Sequence, residues 1–232
     1  MCVCARARAR VCVGGEAVAG QRPAAAVRRV ALCAQCKHFS EKVASCLFEQ
    51  MLLGIKHCHD NLVVHRDVKP DNFLFASAEG DAVVKLTDFG LAMTVTEPDE
   101  IITDAVGSAF FIAPEVFKRA YTRQCDSWSL GVNLFLLLSG TVPFGVKATK
   151  ADDVYRSIQR DELTFTSPQW KRTSPLAREL VGGLLDKNPA KRYTVDQARP
   201  AALRLRAFVC VCVCACACAG VLVLITCVRA GA

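Results

Sequence analysis

The residues best suited to chemistry lie in one short segment, His65-Arg66-Asp67-Val68-Lys69-Pro70-Asp71-Asn72. Sixteen positions after Asn72 comes Asp88-Phe89-Gly90, and Ala113-Pro114-Glu115 begins 25 positions after Asp88. Asn72 and Asp88 offer hard oxygen donors of the kind that hold divalent cations, and Lys69 offers a compact positive charge. Taken singly, Asp67, Asn72 and Asp88 are ordinary turn residues. No turn demands all three at this spacing. His65 reads as a packed histidine that supports the loop.

Positioning these groups falls to the elements around them. Ser40 can cap a helix whose apolar residues Ala44, Leu47, Phe48, Met51, Leu52 and Ile55 follow the 3.6-residue period. Short strands are predicted at Leu62–Val64, Phe73–Phe75 and Val83–Leu86, too short and too close for βαβ units. Trp128 to Leu138 is nearly all apolar and is closed by Gly140 and Pro143, which predicts a fully buried helix. Ser174-Pro175 opens another helix with Leu176, Leu180, Val181, Leu184 and Leu185 on one face. Thr194-Val195-Asp196-Gln197 is a capping box that starts a last helix, and Pro200 is expected to stop it almost at once. The fold class that follows is α+β, a mainly helical lobe with a few short strands.

The three motifs, in this order and spacing, resemble the catalytic loop, metal-binding turn and activation-segment end of protein kinases. The finer resemblance is to the calcium- and calmodulin-regulated branch, above all to calcium-dependent protein kinases. It is carried by Asn72-Phe73-Leu74-Phe75, by 86–92, by Gly107-Ser108-Ala109-Phe110-Phe111-Ile112-Ala113-Pro114-Glu115, by 128–132 and by 137–144. The matching stretch runs over about 38–199. The resemblance implies a Ser/Thr protein kinase that transfers the ATP γ-phosphate to protein substrates, with ATP and Mg2+ as cofactors. In that reading Asp67 accepts and orients the substrate hydroxyl proton, Lys69 neutralises the γ-phosphate, and Asn72 and Asp88 hold Mg2+. Gly90 is expected to supply backbone freedom beside the metal. Ser108 stands where the family mostly has Thr and keeps a hydroxyl able to bridge Asp67 and Lys69. Phe111 replaces the usual Tyr. Glu115 and Arg192 resemble the family's buried ion pair, and Asp126 its ligand to the catalytic-loop backbone; these three are scaffold. Arg66 normally pairs with a phosphate on the activation segment, where Glu97, Asp99, Glu100 and Asp104 supply permanent negative charge here.

The global figures of 232 residues, net charge +7 and 14 Cys point elsewhere until they are divided along the chain. Residues 38–200 hold 19 Lys/Arg against 21 Asp/Glu, a net −2, and only Cys46, Cys58 and Cys125. This removes the case for a nucleic-acid partner or a disulfide scaffold and fits a reducing, cytoplasmic compartment. Within residues 1–37 and 201–232, positions 2–13 alternate Cys-Val, Ala-Arg and Val-Cys and positions 209–218 alternate Val-Cys and Ala-Cys, as an alternating TG/CG nucleotide run encodes. The first reads as low-complexity and disordered, the second as an apolar, Cys-rich tail. Within that tail 207–228 is 22 uncharged residues between Arg206 and Arg229, long enough to span a bilayer, so membrane association is a further expectation. Cys33, Cys36 and His38 lack a second pair at zinc-finger spacing.

Residues 1–39 contain no Gly-x-Gly-x-x-Gly, and Val30-Ala31-Leu32-Cys33 puts a cysteine where the resemblance calls for the ATP-anchoring lysine. The residues themselves therefore leave two readings. One is a Ser/Thr kinase; the alternative is a catalytically inactive kinase-lobe fragment that serves as a binding module, membrane-anchored if 207–228 enters a bilayer.

Overall fold

The computed structural model describes residues 38–76 and 83–218, with side chains through residue 207. Helix α1, Glu41–Asp60, starts at Ser40, whose side chain accepts a hydrogen bond from the Val43 N–H. Its apolar stripe is the expected one: Ala44, Leu47, Phe48, Met51, Leu52 and Ile55 are all buried. After it come strand β1, Val63–Val64, the chemistry-bearing loop, a 3-10 turn at Pro70–Asn72, and strands β2, Phe73–Phe75, and β3, Val84–Leu86. Strand β4, Met93–Thr94, and the short helix α2, Pro114–Phe117, follow. Helices α3, Gln124–Ser139, α4, Ala151–Arg160, α5, Pro175–Leu184, and α6, Val195–Cys218, complete the described chain. The α+β, mainly helical class read from the sequence is what the fold shows.

Two small antiparallel ladders flank the loop. Strand β1 pairs with β4 through Val63↔Thr94 and Val64↔Met93. Strand β2 pairs with β3 through Phe73↔Leu86, Leu74↔Lys85 and Phe75↔Val84. Just beyond the second ladder, the Thr87 N–H donates to the Asn72 carbonyl at 2.9 Å. That register carries Asn72 and Asp88 to the same end of the hairpin. Gln50 of α1 accepts the Val84 N–H at 2.9 Å and ties the hairpin to the first helix.

Helix α3 runs through the middle of the core, and all of it but Gln124 and Leu136 is buried. Trp128, Leu130, Leu134 and Leu137 are completely or almost completely enclosed, each stabilising the fold by roughly 1.5–3 kcal/mol against exposure. Helices α1 and α5 pack against it, and α6 packs on those two.

Helix α6 departs from the sequence reading. Its capping box forms as expected: Gln197 N–H donates to Thr194 Oγ1 at 3.1 Å and Thr194 N–H to Gln197 Oε1 at 2.9 Å. Pro200 does not end the helix, which continues to Cys218. Proline removes one donor, the one that would serve the Asp196 carbonyl. Against this, Ala198, Ala202 and Leu205 are buried in the main core. Lys56 of α1 also meets Asp196 at 2.8 Å, and Arg206 pairs with the largely buried Glu49. Tertiary packing outweighs the local breaker. Residues 1–37 and most of 207–228 lie outside the described side chains. Among the described residues no helix is long and apolar enough to cross a membrane.

Candidate active site

The loop between β1 and β2 is held by backbone hydrogen bonds to buried side chains. Asp126, at the start of α3 and fully buried, accepts the His65 N–H through Oδ2 and the Arg66 N–H through Oδ1, both at 2.9 Å. Burial alone would raise the Asp126 carboxyl, but the hydrogen bond and charge of His59, with the His65 N–H, lower it below the usual carboxylate range. His59, in the last turn of α1, meets Asp126 Oδ2 at 2.9 Å. The His65 ring donates from Nε2 to the Thr87 carbonyl at 3.1 Å, accepts the Asp67 N–H at Nδ1 at 3.3 Å and lies edge-on to Phe89. One imidazole thus joins the loop, the hairpin and the Asp88 turn, as its reading as a packed support requires.

Around Asp67 four side chains close on one another. Lys69 Nζ donates to Asp67 Oδ2 at 2.7 Å and to Ser108 Oγ at 2.9 Å. Ser108 Oγ donates in turn to Asp67 Oδ1 at 2.7 Å. Asn72 Nδ2 donates to the Asp67 carbonyl at 2.8 Å and to its Oδ2 at 3.1 Å. The bridging role expected of the Ser108 hydroxyl is met. Burial raises the Asp67 carboxyl, and the hydrogen bonds from Lys69 and Ser108 more than offset it, so the group ionises below the usual range. Ser108 reaches the cluster because of Gly107, whose φ is +121° and where a Cβ would lie 2.7 Å from the Arg66 carbonyl oxygen.

Asp88 is exposed and takes φ +60°, a left-handed conformation that costs a non-glycine residue of order 1 kcal/mol. Here the sequence reading is corrected. Gly90 is not among the residues with positive φ; the unusual backbone belongs to Asp88 itself. Gly90 instead donates its N–H to Asp88 Oδ1 at 3.3 Å, and a Cβ there would approach that oxygen to 3.2 Å.

The donor set suits a magnesium ion. Both Asn72 amide hydrogens point to Asp67, which turns Oδ1 away from it, and Asp88 presents an exposed carboxylate. One carboxamide and one carboxylate, both hard oxygen ligands, are the sparse protein set Mg2+ accepts while keeping waters and phosphate oxygens.

The remaining scaffold is equally specific. Arg192 forms a two-pronged pair with Glu115, with Nη2 to Oε2 at 2.8 Å. It also donates to the carbonyls of Asp186 and Gln124 and covers the face of Trp128 at 5.1 Å. Arg66 donates from Nε to the Leu91 carbonyl at 2.6 Å, reaches the Tyr121 hydroxyl at 3.4 Å and approaches the Asp104 carboxylate to 3.7 Å. Of the four activation-segment acids, Asp104 is the one that meets Arg66. Sequence reasoning missed His59, Tyr121 and Asn133. The signal for Asn133 was a lone amide inside an apolar helix.

A helical lobe with this loop, this Asp-Phe-Gly turn and this Glu–Arg pair defines the large lobe of a protein kinase. The chain belongs to the protein kinase family: the protein kinase domain profile matches residues 7–202. That match begins upstream of residue 38, where the family resemblance was expected to start. The chain is 43% identical over 157 residues to calcium-dependent protein kinase 2 of Oryza sativa subsp. japonica, covering 68% of this chain and 30% of that protein. It is 41% identical over 160 residues to calcium-dependent protein kinase 12 of Arabidopsis thaliana, 69% and 32% of the two lengths. To the CDPK-related protein kinase of Daucus carota it is 41% identical over 160 residues, 69% and 26%. Its place is thus with the Ser/Thr kinases, near the calcium-dependent ones. The match spans about a third, or less, of the length of these relatives.

Proposed function

We propose that this chain carries the catalytic loop of a Ser/Thr protein kinase that moves the γ-phosphoryl group of ATP to hydroxyls of protein substrates. The observation that carries the proposal is the closed cluster of Asp67, Lys69, Ser108 and Asn72, with hydrogen bonds of 2.7–3.1 Å. In the reaction the hydroxyl oxygen bonds to the γ-phosphorus as the bond to the bridging oxygen of ADP breaks. The hydroxyl proton passes to Asp67. A carboxyl held below its usual range is a weak base, so Asp67 works mainly by orienting the hydroxyl and takes the proton late. Lys69, fixed by two acceptors, places positive charge where negative charge spreads over the transferring group. Asn72 and Asp88 would hold Mg2+, which when bound neutralises the β- and γ-phosphates. Asp104, at the Arg66 guanidinium, stands in for the activating phosphate, so the lobe works without phosphorylation of its activation segment. The buried thiols of Cys58, pushed up to about 12 by burial, and Cys125, also raised, are inert and suit the cytoplasm.

Thermal unfolding of the full chain with and without millimolar ATP and Mg2+ tests the nucleotide half of this reading. The midpoint rises with the wild type and stays put for Asp88→Ala. No rise with the wild-type chain would refute it.

A further inference from the structure

We propose that Asn133 is a positioning residue of the phosphoryl-transfer site, acting through the Val68 carbonyl on the two charged side chains that flank it; this rests on the kinase reading above. Asn133 lies in the middle of α3 with no accessible surface. Its Nδ2 donates to the Val68 carbonyl at 3.0 Å and to the Ser129 carbonyl at 2.7 Å. Both neighbours are carbonyl oxygens, so the amide can face them only with its NH2. Its Oδ1 is buried with no hydrogen-bond partner. A buried acceptor without a partner is costly, and a leucine at this place would avoid it. The amide therefore costs local stability, and its one hydrogen bond outside its own helix is with the catalytic loop.

That contact completes a pattern. Asp126, Ser129 and Asn133 stand at i, i+3 and i+7, one face of α3. Asp126 holds the N–H groups of His65 and Arg66, Ser129 Oγ donates to the Phe111 carbonyl at 2.7 Å, and Asn133 holds the Val68 carbonyl. Asp67 sits between the Asp126 and Asn133 clamps. Val68 is the single residue separating Asp67 from Lys69, whose side chains meet at 2.7 Å. Fixing the Val68 carbonyl fixes the peptide plane that leads into Lys69, and with it the reach of Nζ to Asp67 Oδ2 and Ser108 Oγ. Without the amide donor that plane is free to rotate, and the Asp67–Lys69 pair loosens while the Asp126 clamp persists.

The test compares the full chain with Asn133→Leu, which keeps the branching and heavy-atom count of the side chain and removes the donor. Amide hydrogen exchange at residues 67–72 should quicken by about tenfold or more while His65 and Arg66 stay protected. In the transfer assay kcat should fall about 10- to 100-fold with KM for ATP and peptide within about twofold. Uniformly faster exchange across α3 and α5 with unchanged kcat would show a purely structural role and overturn the proposal. Should Asn133→Leu fail to fold, Asn133→Thr replaces it, since its hydroxyl back-bonds Ser129 and stops short of Val68. Unchanged exchange at 67–72 in that variant overturns the proposal equally. A wild-type chain that transfers no phosphoryl group refutes the kinase reading, and the exchange measurement still decides the role of Asn133.

Discussion

Truncating Glu115 leaves the Arg192 guanidinium buried with its two-pronged partner gone. Breaking a buried pair in this way costs about 3–5 kcal/mol, so Glu115→Ala should lower unfolding stability by that amount in a denaturant titration. The Asp67 carboxyl makes a second prediction. Its folded pKa is depressed, so its contribution to stability is complete above the unfolded value near ~3.9 and is lost as pH falls through the lower folded value. Thermal midpoints measured from neutral to acid pH should show a weaker acid dependence for Asp67→Asn than for the wild type. At this scale the sequence was legible where motif spacing fixed the residue: Asp67, Lys69, Asn72, Asp88 and the Ser108 hydroxyl. It was silent on the left-handed backbone of Asp88, and on His59 and Asn133, whose partners are a buried side chain and a backbone group far along the chain.

Periodicity and caps located α1, α5 and α6, because Ser40, Ser174 and Thr194 each cap the helix their position announced, whereas α4, which has no side-chain cap, went unread. Helix α6 was misjudged because a proline's local cost of about 3 kcal/mol is visible in a sequence and the burial of Ala202 and Leu205 is not. Leu205→Ala should destabilise the fold by about 2–4 kcal/mol, measurable by chemical denaturation; a cost below about 0.5 kcal/mol would place residue 205 outside the core. The activation segment gives the fourth prediction. If Asp104 substitutes for a phosphate, Asp104→Ala lowers kcat in the transfer assay. Phosphatase treatment, and Ala replacement of Thr94, Thr96 or Thr103 singly, leave it unchanged. Requirement of any one of these hydroxyls would contradict that role.

For the whole molecule, the net charge of +7 misleads because it is an average over unlike parts. The lobe that holds the site carries −2, and its fold needs neither disulfide nor nucleic acid to explain its charge or its cysteines. Helices α1, α3, α5 and α6 form the base; the two ladders set the loop and the Asp88 turn side by side, and Ser108 joins them through its hydrogen bonds to Asp67 and Lys69. The family profile spans residues 7–202, and the Asp67 cluster lies within that span. The most direct measurement is transfer of labelled γ-phosphate from ATP, with Mg2+, to a serine-bearing peptide by the full chain and by Asp67→Asn. The account predicts phosphoserine with the wild type and a rate lower by about 10²–10⁴-fold with the variant; equal labelling by the two proteins, or none by the wild type, would contradict it.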